Sequence, residues 1–256
     1  KILKTFFTTK RHEKTRKIMM NSGFLLGIDF GTGGCKVSAV AGDGALLGEA
    51  NVEYGTEYAH PGWSEQNPAD WYGALQTALR KLSGQGLDLA LVQAIALDGS
   101  THNAVLLDSD WKPLRKTIMW TDQRSVPECE FLQKNYGELI YQTAFQKPAP
   151  TWTLPQLLWL KNHEPRVIAA TKHILFVKDY VRFLLSGIAA TDHIEAQGTL
   201  FYDMKKREWS RELAALTGLD FSALPPLLNP TDQAGEITVE AAAFTGLRAG
   251  TPVICG

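Results

Sequence analysis

Long apolar runs are missing from this 256-residue chain. No stretch approaches the ~18 apolar residues that a membrane-crossing helix needs, so no membrane role is expected. An excess of charge of either sign is missing too: 26 basic and 27 acidic residues leave a formal net charge of -1. That balance gives no bulk electrostatic basis for binding nucleic acid. Cysteine is scarce. Cys35, Cys129 and Cys255 are odd in number, far apart and form no CxxC pair. A disulfide framework and a thiolate zinc site are therefore not expected, and the three read as reduced thiols of a cytoplasmic protein. There is no internal repeat, no low-complexity stretch, no Walker A pattern and no GxGxxG. What is there is ordinary for a globular chain: 45% hydrophobic and 21% charged residues. The length suffices for one large domain or two small ones with a sizeable core.

The charge balance hides an asymmetry. Residues 1–17 hold seven basic side chains and a single acid, Glu13, leaving 19 basic and 26 acidic groups in the other 239 residues. This basic leader, residues 1–22, is expected to stand outside the fold. It reads as an upstream extension or tail, with Met19 or Met20 a natural start; a targeting peptide is the alternative, since the stretch is basic and acid-poor.

Residues 23–256 carry the structure. Phe24–Asp29 is a short apolar run ending in a carboxylate. Lys36–Val40 and Ala45–Tyr54 follow, the latter two joined by Asp43-Gly44, a hairpin signal because glycine accepts the positive φ of a tight turn. Three strands in an antiparallel meander are predicted. Asn67-Pro68-Ala69-Asp70 has the chemistry of a helix start, and Trp71, Leu75, Leu79 and Leu82 follow at helical spacing. Val92–Leu97, Ala104–Leu107 and Thr117–Trp120 read as strands. From residue 125 the chain turns mostly helical. Thr153 and Gln156 have capping-box spacing, Gly187 can end a helix over Asp179–Ser186, and Ser210 can cap another. A helix over Thr238–Gly246 and a strand over Thr251–Cys255 complete the chain.

One stretch carries chemistry: Gly27-Ile28-Asp29-Phe30-Gly31-Thr32-Gly33-Gly34-Cys35-Lys36. An acid closing a buried strand can hold a hydrated Mg2+. The N–H groups of a glycine turn, with the Thr32 hydroxyl, can cradle phosphate oxygens. The plain alternative is a strand–turn–strand with a solvated aspartate, and spacing alone leaves both open.

GIDFGTGGCKV resembles the first phosphate motif of the FGGY carbohydrate kinases. Five further segments follow in the family's order: His60-Pro61-Gly62-Trp63-Ser64-Glu65-Gln66, Gly99-Ser100-Thr101-His102-Asn103, Trp120-Thr121-Asp122-Gln123-Arg124, Thr153–Trp159 and Val177-Lys178-Asp179-Tyr180. Each is weak alone; six in one order are specific. Within the family the chain is most similar to the xylulokinases. The resemblance covers residues 24–256. It implies an α/β fold of the actin/hexokinase-like ATPase (ribonuclease H-like) type, a mixed sheet whose first three strands are antiparallel, flanked by helices. It also implies ATP and Mg2+ as cofactors, Asp29 at the metal, and Gly31, Thr32, Gly33, Gly34 and Lys36 at the phosphates. Thr101, His102, Trp120 and Asp122 fall where the sugar is bound. Trp120 could equally be core, and Asp122–Arg124 a structural ion pair. Lys178, Asp179 and Asp192 read as braces between domains or as helix caps. Thr101, Asn103 and Asp98 depart from the family pattern around the sugar, and Gln156 stands in place of a lysine.

The implied activity is transfer of the ATP γ-phosphate to a hydroxyl of a ketose such as D-xylulose; ribulose, erythritol and glycerol are alternative acceptors, and a non-catalytic actin-like binding module is the rival class. The family's catalytic aspartate is expected just beyond Gly256, together with a C-terminal kinase domain, so residues 1–256 alone are expected to be inactive. The full-length form is compatible with a homodimer.

Overall fold

The computed structural model describes residues 23–256. The basic leader lies outside the described residues. Strands β1 (Phe24–Gly31), β2 (Gly34–Val40) and β3 (Leu46–Glu53) form the expected meander, paired antiparallel in sequence order. Its second turn follows from local chemistry: Gly44 has φ +87°, and the Asp43 carboxylate accepts the N–H of Ala45 at 3.0 Å. A two-residue strand β4 (Glu65–Gln66) leads into helix α1 (Pro68–Gly84). Asn67 caps that helix by accepting the Ala69 N–H, with proline in the first turn.

Strand β5 (Val92–Gly99) runs parallel to β1, and β6 (Ala104–Leu107) leaves the main sheet. The expected strand over Thr117–Trp120 shortens to β7 (Thr117–Ile118), which pairs with β4. Helices α2 (Val126–Ala144), α3 (Thr153–His163) and α4 (Pro165–Ala170) follow, then β8 (His173–Phe176) and α5 (Val177–Ser186). Gly187 ends α5 in the left-handed conformation, as its position predicted. Strand β9 (Thr191–Asp192), α6 (His193–Gln197), the hairpin β10 (Tyr202–Asp203) and β11 (Glu208–Trp209), and α7 (Arg211–Leu216) come next. Ser210 caps α7, accepting from Leu213. The stretch 221–235 holds the short strand β12 (Leu227–Leu228) and the start of β13 (Gln233–Glu236). Helix α8 (Val239–Thr245) and β14 (Pro252–Ile254) complete the order.

One capping expectation is corrected. Trp152, not Thr153, occupies the N-cap of α3, with no side-chain cap. The Thr153 hydroxyl donates instead to the His102 carbonyl at 2.6 Å, and Gln156 donates to the carbonyls of Pro150 and Met119. Tertiary carbonyls draw both side chains away from the local N–H groups that a capping box would have used.

The six-stranded sheet has the order β13-β14-β5-β1-β2-β3 and is mixed: β1 and β14 lie parallel to β5, the other neighbours antiparallel. Alternation along β1 sorts its two faces. Phe24, Leu26, Ile28 and Phe30 are buried in one hydrophobic core with Trp71, Leu75 and Leu79 of α1 and Val181 and Leu185 of α5. Burying such side chains stabilises by about 1.5–3 kcal/mol each. Leu25, Gly27 and Asp29 face the other way and are exposed. A second core gathers Leu132, Leu154, Leu157, Phe176, Leu200, Phe201 and Leu213 beneath the helical half. Among the described residues, no helix is long and apolar enough to cross a membrane.

Candidate functional site

The uncovered face of the sheet floors a cavity of about 550 Å³. Asp29 reaches it from the end of β1, because residue parity puts 29 opposite the buried 28 and 30. Its register neighbours are Lys36 on β2 and Asp98 on β5. All three line the cavity, with Ser38, Thr101, Lys178, Asp192, Glu195 and Gly256. Burial, and after it the Asp98 carboxylate, raise the Asp29 carboxyl above the usual carboxylate range, while Lys36 pulls it down. Lys36 shares its charge with Glu49 at 3.0 Å, in a half-exposed pair. A site of hard carboxylate oxygens that crowd each other suits a divalent cation, which would relieve their repulsion. Among the described residues no three acid, histidine or cysteine side chains gather into a metal site, so magnesium fits here only as an ion held by one or two carboxylates and completed by water and phosphate oxygens.

The glycine turn between β1 and β2 is fixed from outside. The Tyr54 hydroxyl donates to the Gly31 carbonyl at 2.5 Å, and Gln66 Nε2 donates to the Thr32 carbonyl at 2.7 Å. Trp120 Nε1 donates to Thr32 Oγ1 at 3.0 Å, and that hydroxyl lies 3.3 Å from Ser100 Oγ. So Trp120, 43% exposed, bridges the turn and the loop before α2. Thr32 also borders a second recess of about 460 Å³, with His60, Trp63 and Thr121.

The four expected sugar contacts are dispersed. Thr101 lines the cavity with Asp29. His102 is packed behind it, 8% exposed: its Nε2 lies 3.2 Å from Thr151 Oγ1, and its ring leans on Trp152 at 5.0 Å. Burial pushes its pKa down to about 4, with Thr151 opposing, so the ring is neutral at physiological pH. Trp120 lies at the glycine turn, outside the cavity lining. Asp122 is placed differently from its expected role. It is fully buried, with Oδ1 accepting from the Arg124 N–H and Nε, and Oδ2 accepting from Ser64 N–H and Arg124 Nη2. Its carboxylate braces a loop, the structural ion pair that its spacing also allowed.

A buried polar knot forms the far wall. Lys178 Nζ lies 2.8 Å from Asp179 and 2.6 Å from Asp192, and Arg182 lies 2.9 Å from Asp179. Arg182 also donates to the carbonyls of Ala190 and Cys255, which ties down the chain leading to Gly256. Nearby carboxylates outweigh burial and hold the Lys178 ammonium above its ordinary range. Asp192 caps α6 and stays low despite burial, held by Lys178 and by two N–H donors. The sequence pointed to Lys178 and Asp192 as braces or helix caps; Asp192 is a cap, and both also face the cavity. Glu195 carried no sequence signal at all.

Comparison with known proteins bears on the fold and the family. The profile of the FGGY family of carbohydrate kinases, N-terminal domain, matches residues 24–256. The xylulose kinase of Bacillus subtilis is 34% identical over 234 residues, which is 91% of this chain and 47% of that protein. The xylulose kinase of Escherichia coli is 33% identical over 231 residues, 90% of this chain and 47% of that protein. Among solved structures, the xylulose kinase from Rhodospirillum rubrum superposes with a TM-score of 0.87 at 28% identity, over 91% of this chain and 48% of that one. The gluconate kinase from Lactobacillus acidophilus gives 0.86 at 25% identity, over 91% and 47%. The chain spans about half the length of the curated relatives it matches. With the fold, the glycine turn and the ordered motifs in agreement, the chain belongs to the FGGY family of carbohydrate kinases.

Proposed function

We propose that this chain is the N-terminal part of an ATP-dependent kinase that transfers the γ-phosphate to a hydroxyl of a ketose such as D-xylulose. The observation that carries the reading is the placement of Asp29 beside the Gly31–Gly34 turn and in one cavity with Thr101. Residues 23–256 form the N-terminal domain in this reading. A second domain and a catalytic aspartate come from the rest of the full-length protein, in keeping with the coverage of the relatives.

Phosphoryl transfer is mostly positioning and charge neutralisation. Magnesium, when bound, supplies the positive charge that screens the phosphate oxygens. Asp29 is the residue that would hold it. Lys36, on the same face of the sheet, adds a point charge toward the phosphates. The turn at Gly31, Thr32, Gly33 and Gly34 sets the limit of the phosphate site, and its carbonyls are already occupied by Tyr54 and Gln66. Thr101 offers a hydroxyl to the acceptor. His102 acts from behind, as a neutral ring that fixes the loop. Trp120 closes the turn side; Asp122 holds the loop that carries Trp120. The cavity wall has Asp29, Asp98 and Asp192 against Lys36 and Lys178. That balance favours an uncharged ketose or polyol over a sugar acid.

The test is ADP release by the full-length protein with MgATP and a panel of ketopentoses, polyols and gluconate. Release that depends on D-xylulose or a related neutral acceptor is the expected result, and Asp29→Asn should lower kcat by roughly 100-fold or more. Residues 23–256 alone should show no turnover. Absence of acceptor-dependent release across the panel overturns the kinase reading.

A further inference from the structure

Glu195 is a buried acid with one uncommitted oxygen. It sits in α6, only 2% exposed, yet it borders the same cavity as Asp29 and Thr101. Its Oε1 accepts the backbone N–H of His102. Among the described residues, no group donates to Oε2. Of the cations nearby, Lys178 is held by Asp179 and Asp192, and Arg182 gives its Nη atoms to Asp179 and two carbonyls while its buried Nε has no partner. A largely buried acid at the edge of a 550 Å³ cavity, with one oxygen that no protein donor takes, can offer that oxygen to a molecule that fills the cavity.

We propose that Glu195 is a substrate-contacting residue, its Oε2 making a hydrogen bond to a hydroxyl of the bound ketose or polyol while Oε1 stays with His102. This rests on the sugar-kinase reading above. The direction of that hydrogen bond follows from the surroundings. Burial, then the Asp179 carboxylate of α5, raise the Glu195 carboxyl to about 8; Lys178 of α5 and the His102 N–H oppose this, and Asp192 of β9 adds to it. His102 contributes no ring charge, and Asp29 and Asp98 face the same space from the sheet. Near neutral pH the carboxyl is therefore protonated, and Oε2–H donates to a sugar oxygen. A neutral buried acid used as a donor keeps the cavity from gaining a further negative charge. Above about pH 8 the proton leaves, the donor becomes an anion, and sugar affinity falls.

The full-length protein tests this by equilibrium binding of D-xylulose, and of the other neutral acceptors in the panel, across pH 6.5–9. Wild-type affinity is expected to weaken by about tenfold between pH 7 and pH 9. Glu195→Gln keeps an acceptor for His102 and an N–H donor at the Oε2 position. It should bind within about threefold of wild type at pH 7 and lose the alkaline fall. Glu195→Ala should weaken sugar binding by roughly 10–100-fold while ATP affinity stays within about twofold. A merely structural role would move ATP and sugar binding together and leave wild type and Glu195→Gln with the same pH profile; either finding overturns the assignment. If Glu195→Ala does not fold, the Gln profile decides alone. Sugar binding with this profile but without ADP release would leave Glu195 standing and sink the kinase reading. Acceptor-dependent ADP release, with identical KM profiles for wild type and Glu195→Gln, would do the reverse. No binding of any neutral acceptor overturns both.

Discussion

His102 shows how much one residue can be asked to do. Its φ of +53° lies in the left-handed region, uncommon for a residue with a side chain. That twist lets its N–H reach Glu195, its carbonyl accept from Thr153, and its ring meet Thr151 and Trp152. The ring leaves no room opposite. A Cβ at Gly198 would sit 2.5 Å from His102 Nδ1 and 2.7 Å from its Cβ. Gly198→Ala is therefore expected to destabilise by about 1–3 kcal/mol, as overpacking does, and thermal unfolding measures it. An unchanged Tm would mean that the imidazole can swing aside. The sequence motif put His102 at the sugar. It could not show depth, because the groups that bury the ring, Thr151, Trp152 and Gly198, lie far along the chain.

At the scale of elements, the loop between β7 and α2 is organised by Arg124. Its guanidinium lies 3.6 Å from the Trp63 ring centre and 5.0 Å from that of Trp159. It forks onto Asp122 and pairs with Glu65 at 2.7 Å. Arg124→Ala should cost about 3–5 kcal/mol in urea unfolding, since it strands a buried carboxylate. Arg124→Lys should recover less than half of that, because an ammonium cannot fork or stack as guanidinium does. Full recovery by lysine would reduce the interaction to simple charge. Elements with local signals were legible in the sequence: the Asp43-Gly44 turn, the Asn67-Pro68 start and the stop at Gly187 all rest on neighbours in the chain. The first three strands and their antiparallel pairing were legible too. Thr153 and Glu195 were not, and Asp122 was legible only as one of two readings. Thr153 and Glu195 both meet His102, remote in sequence, whereas Asp122 meets Arg124 two residues on and, besides it, the remote Ser64.

At the scale of the whole molecule, the described residues form two apolar cores and, along α5, a buried charged seam. Helix α5 gives Val177, Val181 and Leu185 to the sheet-side core, while Lys178, Asp179 and Arg182 turn to the seam. Arg182 ties β14 to the segment before β9 through the carbonyls of Cys255 and Ala190. Arg182→Met keeps the stem's packing but leaves Asp179 short of a cation. It should lower unfolding free energy by about 3–5 kcal/mol, read by denaturant titration. A loss under about 1 kcal/mol would show the seam to be replaceable by apolar contacts, as some buried ion pairs are.

The alternation along β1 has a consequence for how this chain can change over time. Scaffold and reagent are interleaved there, Ile28 and Phe30 flanking Asp29. Substitutions can adjust either set independently. An insertion or deletion of a single residue cannot, because it would drive the carboxylate into the oil and the isoleucine into water. The length of that strand is thus inherited more rigidly than its composition.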